Sequence, residues 1–280
     1  MVEFRVPEWR YGFVGAVLAA LVVAGCGSSG EVDDLAFADT PAAQLYNEGL
    51  VLLNSGDYRG ATVKFEEVDR LHPYSEYSRR SMVMLAFASY SRGNYQEAIN
   101  SAKRFVTLYP GHEDAAYAQY IIAQSYFRQM PDVTRDQAVT EQALQAYEEL
   151  VRNYPESPYV DDARRKIAVT QDQLAGKEME VGRFYLQRND NLAAINRFRN
   201  VVENYQTTRH VEEALFRITE SYYALGVVNE AQTSAAVLGH NFPDSKWYRD
   251  AYSLLKKGGF EPDENRSSWI SRAFSGINLL

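Results

Sequence analysis

The sequence predicts an all-α fold, a superhelix of five helical hairpins stacked in a row. Three observations carry that prediction: one set of columns recurs five times, strand-like alternation of β-branched residues is hard to find, and alanine, leucine and tyrosine abound while glycine supplies only 17 of 280 residues. Gly56, Gly93, Ala138, Asn189 and Gly226 form the first column, and five residues beyond them stand Ala61, Ala98, Ala143, Ala194 and Ala231. Twelve beyond the alanines come Pro73, Pro110, Pro155, Gln206 and Pro243, preceded by His72, Tyr109, Tyr154, Tyr205 and Phe242.

Each column has a physical reason. Segments such as Tyr46 to Asn54 and Met82 to Ser91 read as a first helix. Glycine or asparagine then accepts the left-handed backbone of a tight turn. The alanine lets the second helix approach the first closely, and Val68, Phe105, Leu150, Val201 and Leu238, seven further on, extend its buried stripe. Proline stops that helix, because the residue before it is pushed out of the α region. Two residues past the stop, Ser75, Ser157, Thr208 and Ser245, with His112 as the exception, are hydroxyls placed to cap the next helix. Asp161-Asp162 and Glu212-Glu213 follow in predicted first turns, where acids complement the helix dipole.

The copies start 37, 45, 51 and 37 residues apart. In the third, eight extra residues around Met130 to Thr134 lengthen the loop between its helices. Before the fourth, 14 residues are added around Asp161 to Lys177, close to four whole turns, so the buried stripe is preserved and one helix is predicted from Asp161 to Arg188. The Ala-to-Pro spacing of twelve resembles the tetratricopeptide repeat over residues 42–256, with three extra residues in corners such as Pro155 to Tyr159. Such repeats contact only their neighbours and leave an open concave side. Residues 257–280 depart from the repeats, and Trp269, Ile270, Ala273, Phe274 and Ile277 make a short amphipathic helical stripe.

Ahead of the repeats, Tyr11 to Gly25 is 15 residues without a charge, too short to span a bilayer and of the length of a signal-peptide core. It runs into Val23-Ala24-Gly25-Cys26, which resembles the lipobox of bacterial lipoproteins. The resemblance implies that residues 1–25 are a leader, that Cys26 carries covalent lipid (palmitate), and that residues 26–41 are a small, polar, flexible tether. Gly27 stands where an inner-membrane retention signal has Asp, which by resemblance points to the outer membrane of a Gram-negative cell.

Composition and motifs exclude several functions. Glu3, Glu8, Arg5 and Arg10 cancel, so the chain from Cys26 keeps the net charge of −8, and nucleic acid is an unfit partner. One cysteine cannot form an internal disulfide. The four histidines, 72, 112, 210 and 240, lie at corners with no histidine or cysteine at i+3 or i+4, and neither a phosphate loop nor a nucleophile elbow is present, so no enzyme and no cofactor beyond the lipid are expected. Adjacent acids such as Glu66-Glu67 and Glu148-Glu149 read as solvated faces.

Tyrosine, at 20 residues, is the unusual abundance. Tyr117, Tyr120, Tyr126, Tyr222 and Tyr223 fall on first helices, which line the concave side. They suit core packing or a groove for an extended, aromatic-ended peptide, and the sequence leaves both open.

The lipobox, five repeats, the Tyr154-Pro155-Glu156-Ser157-Pro158-Tyr159 corner and a long helix into Phe184-Tyr185-Leu186-Gln187-Arg188 together resemble the BamD family of outer-membrane lipoproteins. The resemblance implies a scaffold of the β-barrel assembly machine (BAM complex) that sits on the periplasmic face of the outer membrane. It would bind BamA and other Bam lipoproteins and deliver unfolded barrel precursors for insertion. Tyr117, Tyr120 and Tyr126 would form the substrate groove. Asn196, Arg197 and Arg199, basic against an acidic chain, would contact BamA, although a solvated face explains them nearly as well. The 257–280 tail would dock on a partner or cap the last repeat. The competing readings are a scaffold of another envelope complex, such as Tol-Pal, or one of cell-wall remodelling.

Overall fold

The computed structural model of the chain describes residues 40–275; the leader, Cys26, nearly all of the tether, and Ile277 lie outside them. Among the described residues there are helices and no strands. Five hairpins follow one another: α1 (Ala42–Asn54) with α2 (Tyr58–Leu71), α3 (Glu76–Ser91) with α4 (Tyr95–Leu108), α5 (Ala115–Arg128) with α6 (Ala138–Asn153), α7 (Val160–Gln187) with α8 (Asn191–Asn204), and α9 (Val211–Ala224) with α10 (Val228–Asn241). Helices α11 (Lys246–Lys257) and α12 (Trp269–Phe274) complete the chain. Each helix from α1 to α10 packs on the next, and first helices also touch across repeats, α1 on α3 and α3 on α5. That is the fivefold tetratricopeptide superhelix the columns predict.

The columns translate into geometry. Gly56, Gly93, Asn189 and Gly226 have φ of 82°, 82°, 59° and 75°, the left-handed region that closes the hairpin turn. Asp57 and Asp190, next in line, accept the backbone N–H of Gly60 and Ala193 and so cap α2 and α8. The third copy departs from the column: Ala138 is the first residue of α6, and residues 129–137 make a longer loop instead of a tight turn. All five alanines are fully buried, as are Val68, Phe105, Leu150, Val201 and Leu238. The stop is equally uniform. His72, Tyr109, Tyr154, Tyr205 and Phe242 leave the helix at φ between −131° and −136°, and each donates its N–H to the carbonyl four residues back.

The capping expectation holds only in part. Ser75 and Ser245 cap α3 and α11 through the N–H of Ser78 and Trp247. At the other three corners one more turn intervenes, so α5, α7 and α9 begin after Asp114, Tyr159 and His210, and Thr208 donates to the Tyr205 carbonyl rather than capping. The acid pairs do lie in the first turns of α7 and α9.

The predicted long helix is α7, and it has a companion the sequence reading did not connect with it. The extended loop of the third hairpin packs on the middle of α7: Gln173 Nε2 donates to the Pro131 carbonyl at 2.9 Å and Lys177 Nζ to that of Thr134 at 2.8 Å. A Cβ on Gly176 would stand 3.3 Å from Val133 on this side and 3.4 Å from His210 on the other. Thus the two irregular insertions fill each other's space.

Three apolar clusters result. One sits under hairpin 1 around Phe65, one runs through hairpins 2 and 3 around Phe105 and Tyr147, and one through hairpins 4 and 5 around Phe198 and Ile218. The last includes Ile270 and Phe274 of α12, which lies against α8 and α10. Helix α11 ends at Gly258-Gly259, with Gly259 at φ 82°, the turn of a sixth copy whose second helix is missing. Gln206, where the other corners have proline, donates from its side chain to the Ala273 carbonyl at 2.7 Å.

Candidate functional site

The aromatic residues of α3, α5 and the corner before α7 form one cluster. Tyr117 lies between Phe87 and Tyr159, with ring centroids 6.5 Å and 5.4 Å away, and Tyr120 stacks on Tyr159 at 4.8 Å and 20°. The Tyr120 hydroxyl donates to Asp162 at 2.9 Å. Burial pushes the phenols of Tyr117 and Tyr120 up to about 12, and the Asp162 carboxylate reinforces the shift at Tyr120. Both stay neutral donors throughout the physiological range. The rings are half-buried, so they offer apolar area together with a few oriented hydroxyls, which is the chemistry of a peptide-binding face.

Tyr126 does not join them. It follows Tyr117 by nine residues, two and a half turns, and therefore points to the opposite side of α5. There its hydroxyl accepts from Lys103 Nζ at 2.9 Å in a separate cleft between α4 and α6. Tyr222 and Tyr223 are occupied as well: the hydroxyl of the first accepts from Trp269 Nε1 at 3.2 Å, and the second packs edge-on to Phe260. Tyr117, Tyr120 and Tyr126, expected from the sequence to line one groove, therefore do not share a face: Tyr117 and Tyr120 cluster with Phe87 and Tyr159, and Tyr126 lines the separate cleft.

The basic trio is divided in the same way. Asn196 and Arg197 line a shallow groove of about 350 Å³ with Glu178, Tyr185, Ala193 and Asn200, and Arg197 pairs with Glu178 at 3.4 Å. Arg199, two residues on and so nearly opposite, lies over the Trp269 ring at 4.6 Å and donates to Glu203 at 2.8 Å. It serves the tail, and the three residues do not make one contact patch.

His72 and His112 have structural partners. The His72 ring meets the Thr40 carbonyl at 2.8 Å, and His112 Nδ1 accepts the Asp114 N–H at 3.2 Å. His112, Glu113 and Asp114 could bring three ligand atoms within 4.8 Å, a grouping of consecutive residues that the i+3 and i+4 rule does not detect. It is a partly exposed corner. Across hairpins 1 and 2, partial desolvation and the nearby Glu97 carboxylate raise the pKa of the surface residue Glu66, with Arg92 opposing. No helix among the described residues is long and apolar enough to cross a membrane.

Comparison with known proteins agrees with this architecture. Residues 38–238 match the YfiO family, described as outer membrane lipoproteins. Three similar proteins carry the name Outer membrane protein assembly factor BamD. That of Caulobacter vibrioides is 49% identical over 249 residues, covering 89% of this chain and 82% of its own. That of Rickettsia prowazekii is 40% identical over 240 residues, 86% of this chain and 94% of its own. That of Neisseria meningitidis serogroup A is 32% identical over 248 residues, 84% of this chain and 93% of its own. A match across most of the five hairpins, with relatives this similar along most of their length, means that the chain belongs to the YfiO family of outer membrane lipoproteins.

Proposed function

We propose that the chain is a non-enzymatic scaffold of outer-membrane protein assembly, anchored by lipid on Cys26 to the periplasmic face of the outer membrane. Membership of the lipoprotein family and the assembly-factor name shared by its relatives support this reading. In it the scaffold binds BamA and other Bam lipoproteins and hands over unfolded barrel precursors. The observation that carries precursor binding is the half-buried Phe87, Tyr117, Tyr120 and Tyr159 cluster, whose hydroxyls remain protonated. For BamA the supporting feature is the Asn196 and Arg197 groove.

The test for the first is titration of a barrel precursor's C-terminal peptide against the wild-type chain and Tyr117→Ala/Tyr120→Ala. Loss of two aromatic anchors is expected to weaken binding about tenfold or more, and unaltered affinity would retire the tyrosine face. For the second, Arg197→Glu should lower BamA co-purification at moderate salt, whereas equal recovery would count against the groove. Mass spectrometry of the mature protein tests the anchor, through an acylated Cys26 at the amino terminus.

A further inference from the structure

The cleft between α4 and α6, floored by α5, measures about 320 Å³ and is lined by Lys103, Val106 and Thr107 on one side, Gln119, Ile122 and Tyr126 below, and Gln142, Gln145, Ala146 and Glu149 opposite. The repeat ruler finds its counterpart two hairpins later. Moving 96 residues along takes Lys103 to Arg199, Gln119 to Leu215 and Tyr126 to Tyr222; beyond the eight-residue insertion the step is 88, taking Gln142 to Glu230 and Gln145 to Thr233.

That counterpart cleft is full, and α12 fills it. Trp269 stacks under Arg199 at 4.6 Å and donates to the Tyr222 hydroxyl at 3.2 Å. Ser268 Oγ donates to Glu230 at 2.6 Å, and the Asn265 N–H to Thr233 at 3.2 Å. Every residue named here as touching the α12 segment stands at a position that lines the open cleft in hairpins 2 and 3. There Lys103 and Tyr126 pair with each other, the ammonium 2.9 Å from the hydroxyl and 5.3 Å from the ring centroid. One floor position differs in kind. Gln119, 4% exposed, is held in the floor by its side-chain amide, which donates to the Ala146 carbonyl at 3.0 Å and to Glu149 at 3.2 Å, where the counterpart cleft has the apolar Leu215.

We propose that the α4–α6 cleft is a docking site for a short amphipathic helix of another polypeptide, seated as α12 is seated between α8 and α10. Its aromatic residue inserts between Lys103 and Tyr126, as Trp269 does between Arg199 and Tyr222. The site is separate from the Tyr117 and Tyr120 face, so either can fail without the other.

The probe is a fluorescent peptide of residues 262–275, titrated against the full lipidated chain in detergent, whose own α12 holds the other cleft. Saturable binding is expected. Lys103→Glu and Tyr126→Ala should each weaken it about tenfold or more, while Arg152→Glu, exposed on α6 outside the cleft, leaves it unchanged. Gln119→Leu, which rebuilds the Leu215 floor, should tighten it several-fold, an effect that a merely structural Gln119 would not produce. Absence of saturable binding, or binding indifferent to Lys103→Glu and Tyr126→Ala, overturns the proposal. So would a dimer in sedimentation that dissociates on Lys103→Glu or Trp269→Ala, because the cleft would then belong to a second copy.

Discussion

At Gly182 a hydrogen sits where any other residue would drive a methyl into the Phe198 ring, and Gly49 faces Phe65 in the same way. The two pairs share one register, twelve residues before and four after the alanine of their repeat, so volume is exchanged between the helices of a hairpin. Gly182→Ala is expected to cost about 1–3 kcal/mol in chemical denaturation, and Phe198→Leu in the same chain to return part of it. Equal losses with and without Phe198→Leu would deny the coupling. His210 offers a pH test. Burial holds its imidazole below the usual 6.5, with Arg209 and Arg183 adding to the effect while Asp172 and Glu213 oppose it. The unfolded chain therefore takes up a proton that the folded one resists, so stability is complete above about pH 7 and falls as pH drops through roughly 6.5 toward the lowered folded value. His210→Gln should flatten the urea midpoint between about pH 7 and pH 5.5; an unchanged slope would assign the dependence elsewhere. The left-handed turns and buried alanines were legible because each recurs in the chain. The glycine and phenylalanine exchange was hidden, since it occurs in two copies only and needs both members read together. That Tyr126 leaves the Tyr117 and Tyr120 face follows from the two and a half turns between Tyr117 and Tyr126, which a row of tyrosines along one helix does not display.

Helix α12 buries much of its short length. Its Trp269, Ile270 and Phe274 cover the cluster shared by α8 to α10, and side chains of this size bring about 1.5–3 kcal/mol each on burial. Truncation after Gly259 should therefore speed amide exchange in α8 and α10 by an order of magnitude or more while α1 to α4 keep their protection, because repeats stabilise chiefly their neighbours. Uniform acceleration along the chain would contradict that locality. The apolar spacing of this tail was visible in the sequence, but its resting place was not. Its contacts to Arg199, Tyr222 and Glu230 span 38 to 70 residues, and only the three-dimensional path of the chain brings them together. The same holds for the loop of hairpin 3 against α7: each insertion was located, and their mutual fit was not.

For the molecule as a whole, the five-hairpin plan followed from a ruler of glycine, alanine and proline, since each column solves a local problem that every repeat must solve. Binding surfaces have no such redundancy. The proposed ones lie where the copies differ: in the aromatic residues that α3, α5 and the α7 corner bring together, and in the cleft whose floor holds Gln119. Gln206 is the most instructive departure. A designer regularising this array by consensus would write proline there and complete the column. Gln206→Pro would perfect the corner yet remove the amide that clips the Ala273 carbonyl, and tail protection in hydrogen exchange should fall while the hairpins hold. Where the proline column gives way to glutamine, the repeat supplies the latch for a tail that folds back over it, so periodicity has been relinquished there in favour of closure.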